Sequence, residues 1–251
     1  MKCKKKIIYG LIGKNIKYSF SRKYFLYKFK KESIINVDYK IFDIPKIEDV
    51  SFIFKNPYLR GCNVTIPYKT AVIPFLNKIV DEAKSIGSVN VVKISNKCKI
   101  GFNTDVIGFE YSFKKNLNLL TNKKNLKALI LGTGGVSKTI SFVLKKLQIP
   151  YQHISRKKNK DFIVYEDINQ NLLKEHKIII NCTPVGTYPN INCCPPLPYQ
   201  YVSSEHYFYD LIYNPEKTLF LSKAEEKGAI IKNGLEMLYL QAEESWKIWE
   251  N

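Results

Sequence analysis

The sequence predicts an α/β protein made of two domains, and three observations indicate this fold class. Short apolar runs alternate with segments whose apolar residues recur at helical spacing along most of the chain. Near the middle, a glycine-rich turn joins one such run directly to one such segment. The length of 251 residues is enough for two domains of modest size, each with its own buried core.

The first part of the chain contains a complete α/β unit. Residues 7–12 form its predicted first strand, and we interpret the basic start as the approach to that strand, not as a signal peptide. Asn96-Lys97 marks a hairpin turn, and Pro67 ends the strand before the hairpin. The remaining strands are predicted at 38–42, 61–67, 89–95 and 98–102, and the helices at 24–29, 47–54, 70–79 and 108–120. We place the domain boundary near Asp105.

Residues 126–147 read as a strand, a glycine turn and a helix. The apolar run 128–131 precedes the glycines, and apolar residues recur at helical spacing after them. Glycines let the backbone approach a pyrophosphate, whose charge is favoured at a helix N-terminus, so this pattern opens a dinucleotide-binding unit. Ser137 stands where the fingerprint has its third glycine or alanine, so an ordinary strand-to-helix turn is the alternative. Further strands are predicted at 151–155, 178–182 and 207–211, and an amphipathic helix at 234–249.

The second strand of this unit is followed by a cationic run, Ser155-Arg156-Lys157-Lys158. A site for NAD usually has an acidic side chain here that binds the ribose 2′-hydroxyl, whereas the 2′-phosphate of NADP needs cations. No aspartate or glutamate lies between residues 151 and 160. If the turn binds a dinucleotide, the sequence therefore favours NADP, although a lysine-rich chain places cations in many loops.

Two charged residues lie where open α/β sheets bind their ligands. Lys69 follows the carboxyl end of the strand at 61–67, and Asp105 lies at the proposed domain junction, where a cleft is expected. A lysine and an aspartate suit the reduction of a ketone: the ammonium gives a proton to the oxygen while hydride attacks the carbon, and the carboxylate orients the ammonium. The alternative is a surface ion pair with no role in chemistry.

Short polar side chains occur at the ends of several predicted strands and on the last helix. Such groups can bind a polyhydroxylated substrate through hydrogen bonds, although each alone is also typical of a loop or a helix cap. Their joint arrangement makes them candidates for substrate binding, and they are Ser19, Ser21, Asn63, Thr65, Asn90 and Gln241.

The net charge of +18 comes almost entirely from lysine, since the only arginines are Arg22, Arg60 and Arg156. Proteins that read nucleic-acid bases rely on arginine, so we favour a solvated lysine-rich surface, with a nucleic-acid-binding protein as the alternative from another class.

The six cysteines include no CxxC pair and the three histidines show no ligand spacing, so we expect free thiols in a reducing cytoplasm and no metal. No apolar run is long enough for a membrane span.

Eight short motifs are spread over nearly the whole chain. They are 9–13 with Ser19 and Ser21, 63–69, 87–90, 101–105 with Gly108, Gly132-Thr133-Gly134-Gly135-Val136, 180–184 with Gly186, 210–215, and Gly234 with Met237, Leu238 and Gln241. Together and in this order they resemble the motifs of the shikimate dehydrogenase family. An ordered set of this kind is far more specific than any one motif.

The resemblance implies the NADPH-dependent, reversible reduction of 3-dehydroshikimate to shikimate, a step of aromatic amino-acid biosynthesis. It implies that Lys69 handles the proton together with Asp105, and that Tyr213 is a further substrate contact. Three residues are implied near the nicotinamide end of the cofactor, namely Asp81, Leu211 and Gly234.

The resemblance also implies the domain organisation. We expect a substrate-binding domain at 1–105, an NADP-binding Rossmann domain at 106–232, and a helix at 233–251 that returns to the first domain, in a cytoplasmic monomer or homodimer. The family usually has Asn-Arg-Thr where this chain has Ser155-Arg156-Lys157. Two alternatives within reach of this fold are a quinate/shikimate dehydrogenase that uses NAD and a cofactor-binding regulator without catalysis. The cationic run 156–158 counts against the first, and Lys69 and Asp105 count against the second.

Overall fold

The computed structural model describes residues 6–17, 19–117, 119–120, 125–158 and 160–251, and it confirms the predicted α/β class. The chain divides into two compact units. Met1–Thr104 and Ala242–Asn251 form the first unit, and Asp105–Gln241 form the second. The chain returns to the first unit between Gln241 and Ala242, within the last helix. The return expected from the sequence lies earlier, at residue 233.

The first unit is built on a mixed six-stranded sheet. Its elements are β1 (Ile7–Gly13), α1 (Ser21–Lys31), β2 (Val37–Asp43), α2 (Val50–Ile53), β3 (Leu59–Val64), β4 (Lys78–Ile79), α3 (Asp81–Ile86), β5 (Val91–Ser95) and β6 (Cys98–Phe102). The strand order is β2-β1-β3-β5-β6-β4. β1 is parallel to β2 and β3, whereas β5 is antiparallel to β3 and β6, so the predicted hairpin is confirmed.

The helix predicted at 70–79 is wrong. The chain forms one 3₁₀ turn there, Ile73–Phe75, and then enters β4. Pro74 explains the difference, because proline has no N–H to donate and disfavours the helical conformation of the residue before it. The helix-like apolar spacing has another cause, since Val72 is buried in the core and Phe75 and Leu76 pack against it.

Two tryptophans of the last helix complete the core of the first unit. Trp249 stacks on Tyr9 with the ring centroids 4.7 Å apart, and its Nε1–H donates to the carbonyl of Val92 at 3.1 Å. Gly61 makes room for this ring, because a Cβ there would lie 2.2 Å from the indole nitrogen. Trp246 meets Tyr9 edge-on at 5.3 Å. Aromatic packing therefore attaches residues 242–251 to the first sheet.

The second unit is built on a parallel six-stranded sheet. Its elements are α4 (Asp105–Leu117), β7 (Ala128–Leu131), α5 (Gly135–Lys146), β8 (Tyr151–Ser155), β9 (Ile163–Val164), α6 (Gln170–Glu175), β10 (Ile178–Asn181), β11 (Tyr207–Asp210), α7 (Leu219–Glu225), β12 (Ile230–Lys232) and the start of α8 (Leu235–Glu250). The strand order is β12-β11-β10-β7-β8-β9. Every residue of β7, β10 and β11 is buried, as expected for a sheet with both faces covered.

The strand order of the second sheet reverses at β7, which has β8 on one side and β10 on the other. Open α/β sheets bind ligands at the carboxyl ends of their strands at such a point. The glycine turn follows β7 directly. The Gly132 N–H donates to Ile154 of β8, and the Cys182 N–H after β10 donates to Leu131, each at 2.9 Å. Both neighbouring strands thus hold the start of the turn.

The cysteines that the structure describes are free thiols, and Cys3 lies outside the described residues. No helix among the described residues is long and apolar enough to cross a membrane. In the same part of the chain, no three metal-ligating side chains cluster as they would around a metal ion.

Candidate functional site

A buried hydrogen-bond network joins two of the predicted substrate residues in the first unit. Asn63, on β3, accepts from the Tyr39 hydroxyl at 2.8 Å and donates to the Ser245 hydroxyl at 2.9 Å. The Ser245 oxygen lies 3.2 Å from that of Thr104. Asn90 donates to the Thr104 hydroxyl at 3.0 Å and accepts from its N–H at 2.7 Å. The network orients both amides, because each amide has a partner on its donor and its acceptor side.

Three members of this network were not identified from the sequence, namely Tyr39, Thr104 and Ser245. Tyr39 lies on β2 and is fully buried, and Ser245 lies on the buried face of α8 beside Trp246 and Trp249. A serine on an otherwise apolar helix face is the signal that could have revealed Ser245, because a buried hydroxyl requires a partner.

The predicted serine pair lies at the start of α1. The Ser19 hydroxyl oxygen accepts from the Ser21 N–H and lies within hydrogen-bond distance of the Ser21 hydroxyl, each at 3.3 Å. Burial raises the pKa of Tyr39 well above its ordinary value, and a hydrogen bond with Ser21 acts in the opposite direction. Ser21 therefore belongs to the same polar region as the buried amides.

The loop that carries Lys69 is held from two sides. Thr65, directly after β3, donates its N–H to Ile12 of β1 at 2.9 Å, and the buried Tyr68 hydroxyl donates to Ile44 at 2.9 Å. The carbonyl of Lys69 accepts from the N–H of Val89 at 2.8 Å. Since Val89 precedes Asn90, this bond places the backbone of Lys69 beside the amide network. The side chain of Lys69 is half-buried.

Asp105 is the first residue of α4 and of the second unit, and it is buried. The two residues before it belong to the first unit, where Asn103 donates to the carbonyl of Ser88 at 2.9 Å and Thr104 is bound by Asn90. These contacts hold the backbone of the first unit up to Thr104.

The glycine turn of the second unit has the predicted strand-turn-helix form. Gly132 has φ +105°, a left-handed conformation that favours glycine, and a Cβ there would lie 3.0 Å from Thr183. Gly134 precedes α5, and the space around a Cβ at this position is open to 4 Å. Ser137 replaces the third fingerprint glycine, and its buried hydroxyl donates to the carbonyl of Gly134 at 2.6 Å. The hydroxyl of Ser137 thus has its partner within the turn, and the space at Gly134 stays open.

The cationic run follows β8. The Ser155 hydroxyl oxygen accepts from the Lys157 N–H at 3.1 Å, and Arg156 and Lys157 are exposed. Burial raises the pKa of Tyr165 to about 12, and the charge of Arg156 acts in the opposite direction. The guanidinium of Arg156 therefore lies near this partly buried ring.

Asp210 organises the loop that carries Leu211 and Tyr213. Its carboxylate accepts from Asn181 at 3.0 Å, from the Ile212 N–H at 3.0 Å and from the Thr218 hydroxyl at 2.6 Å. Burial raises the pKa of Asp210 to about 6, while these three donors act in the opposite direction. The carboxylate thus holds the start of the loop and the cap of α7 at one point.

Two of the residues expected near the nicotinamide are brought together by the fold. A Cβ at Gly234 would lie 2.1 Å from the carbonyl oxygen of Leu211, so only glycine allows this approach.

Gln241 is half-buried on α8, and its amide donates to the carbonyl of Leu238 at 2.9 Å. Asp81 lies at the start of α3 in the first unit, where it is exposed.

Comparison with known proteins identifies the family to which these features belong. The profile of the shikimate dehydrogenase substrate binding domain matches residues 11–92. The shikimate dehydrogenase (NADP(+)) of Pelagibacter ubique strain HTCC1062 is 38% identical over 252 residues, which cover 95% of this chain and 91% of that protein.

Solved structures agree with this finding. Shikimate dehydrogenase 1 from Peptoclostridium difficile superposes with a TM-score of 0.84 at 35% identity, covering 97% of this chain and 91% of that one. Shikimate 5-dehydrogenase from Thermus thermophilus, solved in complex with NADP(H) and shikimate, has a TM-score of 0.81 at 26% identity, with coverage of 97% and 93%. With sequence identity of this extent over nearly its full length, the chain belongs to the shikimate dehydrogenase family.

Proposed function

We propose that this chain catalyses the NADPH-dependent, reversible reduction of 3-dehydroshikimate to shikimate. The observation that carries the proposal is a set of hydrogen bonds in the first unit. The carbonyl of Lys69 accepts from the N–H of Val89, the residue before Asn90. Asn90 is linked to Asn63 through the hydroxyls of Thr104 and Ser245. A half-buried lysine whose backbone is held next to Asn90, in the same unit as two oriented amides, suits a hydroxylated substrate that must exchange a proton at one oxygen.

The proposed roles follow from the chemistry of each group. NADPH supplies the hydride when it is bound. Lys69 donates a proton to the ketone oxygen in the reductive direction and accepts it in the oxidative direction, and Asp105 is the second residue that we assign to proton handling. The substrate hydroxyls and carboxylate are proposed to bind Ser19, Ser21, Asn63, Thr65, Asn90, Tyr213 and Gln241.

The second unit supplies the proposed cofactor contacts. The open space at Gly134 and the N-terminus of α5 suit a pyrophosphate. Arg156 and Lys157, exposed after β8, suit the 2′-phosphate of NADP, with Ser155 beside them. The turn residues Gly132, Thr133, Gly135 and Val136, together with Leu211 and Gly234, are the remaining contacts that we propose in this unit. Asp81 stays a prediction from the sequence.

An assay of shikimate oxidation by the purified chain tests the function. We expect shikimate-dependent reduction of NADP with little reduction of NAD. We expect Arg156→Ala to lower the preference for NADP over NAD by roughly ten- to a hundredfold, because a charged contact to phosphate contributes about 1.5–3 kcal/mol. Better use of NAD than of NADP would favour the quinate/shikimate type of enzyme. A folded protein without turnover on either nucleotide would contradict the proposal and favour a regulator or a nucleic-acid-binding protein.

The buried amide network leads to a second prediction. Tyr39→Phe and Ser245→Ala each remove one partner of Asn63, and a buried amide without its partner costs about 1–3 kcal/mol. We expect each change to raise the KM for shikimate roughly five- to tenfold, because Asn63 then adopts other orientations. Steady-state kinetics with each substrate varied in turn should show the KM for NADP unchanged.

The second unit offers a matched control for these variants. Ser112 and Tyr209 form a buried serine–tyrosine pair at 2.6 Å, between α4 and β11. Ser112→Ala and Tyr209→Phe remove the same chemical groups and should lower thermal stability without changing the KM for shikimate. Equal effects of the two pairs on KM would show that the network acts on stability alone.

We also infer that the protein works in the cytoplasm as a monomer or homodimer. The free thiols support a reducing compartment.

A further inference from the structure

The imidazole of His153, on β8, borders the glycine turn. Its Nδ1 lies 3.3 Å from the carbonyl oxygen of Gly132, and its Nε2 lies 2.9 Å from the hydroxyl oxygen of Ser141 on α5. That hydroxyl also lies 2.9 Å from the carbonyl oxygen of Ser137, in the first turn of the same helix. The three contacts form one chain that runs from the turn to the N-terminal end of α5, the two parts proposed to hold a pyrophosphate.

Three hydrogen bonds need three hydrogens, and the neutral side chains supply two. The two carbonyl groups can only accept. A neutral histidine has one N–H and Ser141 has one O–H, so one of the three contacts then lacks a proton. When both ring nitrogens are protonated, His153 donates to Gly132 and to Ser141, and the Ser141 hydroxyl donates to Ser137. The chain of hydrogen bonds is therefore complete only with the imidazolium form.

Burial opposes the imidazolium form when no anion is bound. It lowers the pKa of His153, while the bond to the carbonyl of Gly132 acts in the opposite direction. The rings of Tyr151 and Phe162 lie against the imidazole with centroid distances of 5.6 and 5.7 Å. Other titratable or charged groups lie close in sequence to the residues that contact the imidazole. They are Tyr151 on β8, Lys138 on α5, and Lys160 and Asp161 next to Phe162.

A bound anion shifts this balance, because negative charge near an imidazole favours its protonated form. We propose that His153 is a positioning residue of the cofactor turn, which takes up a proton from solvent when the pyrophosphate of a dinucleotide binds. In that state it joins the Gly132 carbonyl and the first turn of α5 into one hydrogen-bonded frame. The inference rests on the proposed function, since it takes the turn to be the NADP site. By linkage, dinucleotides bind more tightly on the acid side of the transition.

Histidine NMR titration of the whole protein tests this inference directly. The chain has three histidines, so His153→Asn assigns the relevant signal. NAD is the probe, because the 2′-phosphate of NADP itself titrates at about pH 6. We expect saturating NAD to raise the pKa of His153 by about one unit, which corresponds to about tenfold tighter binding at acidic than at alkaline pH. If NADP alone binds, the titration is made with NADP while its phosphate is followed by ³¹P NMR.

Two internal controls lie in the same unit. His176 and His206 are buried histidines whose pKa values are also lowered by burial, and their rings contact the carbonyls of Leu172 and Leu173 in α6. Their titrations should be unchanged by NAD. A shift of all three histidines would indicate a global change of the protein and would contradict a local role for His153.

Two variants separate charge from position. His153→Asn keeps an N–H for Gly132 but does not titrate, so the roughly tenfold rise in NAD affinity from about pH 8 to about pH 5.5 that depends on His153 should be lost. Ser141→Ala removes the hydroxyl that links His153 to the carbonyl of Ser137. The rise of the His153 pKa on NAD binding should therefore be clearly smaller than in the unmodified protein.

The outcomes separate this inference from the proposed function. An unchanged His153 pKa at saturation, or equal pH dependence of NAD affinity with and without His153→Asn, overturns it while the enzyme activity stands. A full rise in Ser141→Ala overturns the positioning role. If neither NAD nor NADP binds at any pH, the proposed function fails, and this inference fails with it.

Discussion

Lys69→Ala is expected to lower the kcat for shikimate oxidation by roughly 10²–10⁴, the usual contribution of a positioned proton donor or acceptor. The KM for NADP should stay within about twofold, because Lys69 is not among the predicted NADP contacts, all of which except Asp81 belong to the second unit. The fold should persist, since the bond that holds this loop uses the carbonyl of Lys69, which every residue has. Steady-state kinetics together with a thermal melt make the measurement.

Lys84→Ala is the matched control for this change. Lys84 is an exposed lysine on α3 of the same unit, so its removal also takes one positive charge from that unit. If charge alone mattered, both variants would lose activity equally, and the loss would diminish in salt. A specific role for Lys69 requires a large loss in Lys69→Ala alone. Near-normal turnover of Lys69→Ala would exclude Lys69 as the proton-handling residue.

The parts of the fold that sequence patterns predicted are those with strong local signals. β7, the glycine turn and α5 were predicted because a four-residue apolar run, glycines and helical spacing follow one another directly. The hairpin of β5 and β6 was predicted from its turn residues. The helix at 70–79 was wrong because apolar spacing outweighed Pro74 in that interpretation. The short elements β4, β9 and β12 have too few residues for a period to be recognised.

The candidate site shows the same limit of local reasoning. Asn63 and Asn90 were recognised because polar residues at strand ends stand out in an apolar pattern. Tyr39 and Ser245 were missed because each is compatible with its own element. Ser245 meets Asn63 across 182 positions of sequence, and Tyr39 meets the same amide from β2, which β1 separates from β3 in the sheet. A contact of such long range is fixed by packing, here by Trp249 on Tyr9 and Gly61, which no local pattern contains.

The histidines illustrate a related point. From the sequence, the three histidines were considered only as metal ligands, and their spacing does not fit that role. In the structure they have separate partners, since His206 and His176 contact carbonyls of α6, whereas the ring of His153 contacts the carbonyl of Gly132 in the glycine turn. Which histidine lies beside a prospective anion depends on the register of β8 against β7, where His153 pairs with Ile130. Register of this kind is a property of the assembled sheet.

Gly134→Val is expected to raise the KM for NADP roughly a hundredfold while leaving the protein folded. The space around a Cβ at Gly134 is open to 4 Å, so the fold itself does not require glycine here. The backbone is extended, with φ −78° and ψ −176°, which valine adopts readily. Bulk that meets a bound pyrophosphate costs about 1–3 kcal/mol, so Gly134→Ala should raise the KM about tenfold and Gly134→Val more. Kinetics with NADP varied, and calorimetry of NADP binding, measure the effect.

Gly132→Ala provides the contrast that separates a glycine kept for the ligand from one kept for the fold. Gly132 has φ +105°, and a Cβ there would lie 3.0 Å from Thr183, so alanine should lower the free energy of unfolding by about 1–3 kcal/mol. Gly134→Val should change that free energy by less than about 1 kcal/mol, since valine only replaces glycine at the helix cap. If Gly134→Val instead unfolds the protein, or leaves the KM for NADP unchanged, the open space at the turn is not the cofactor site.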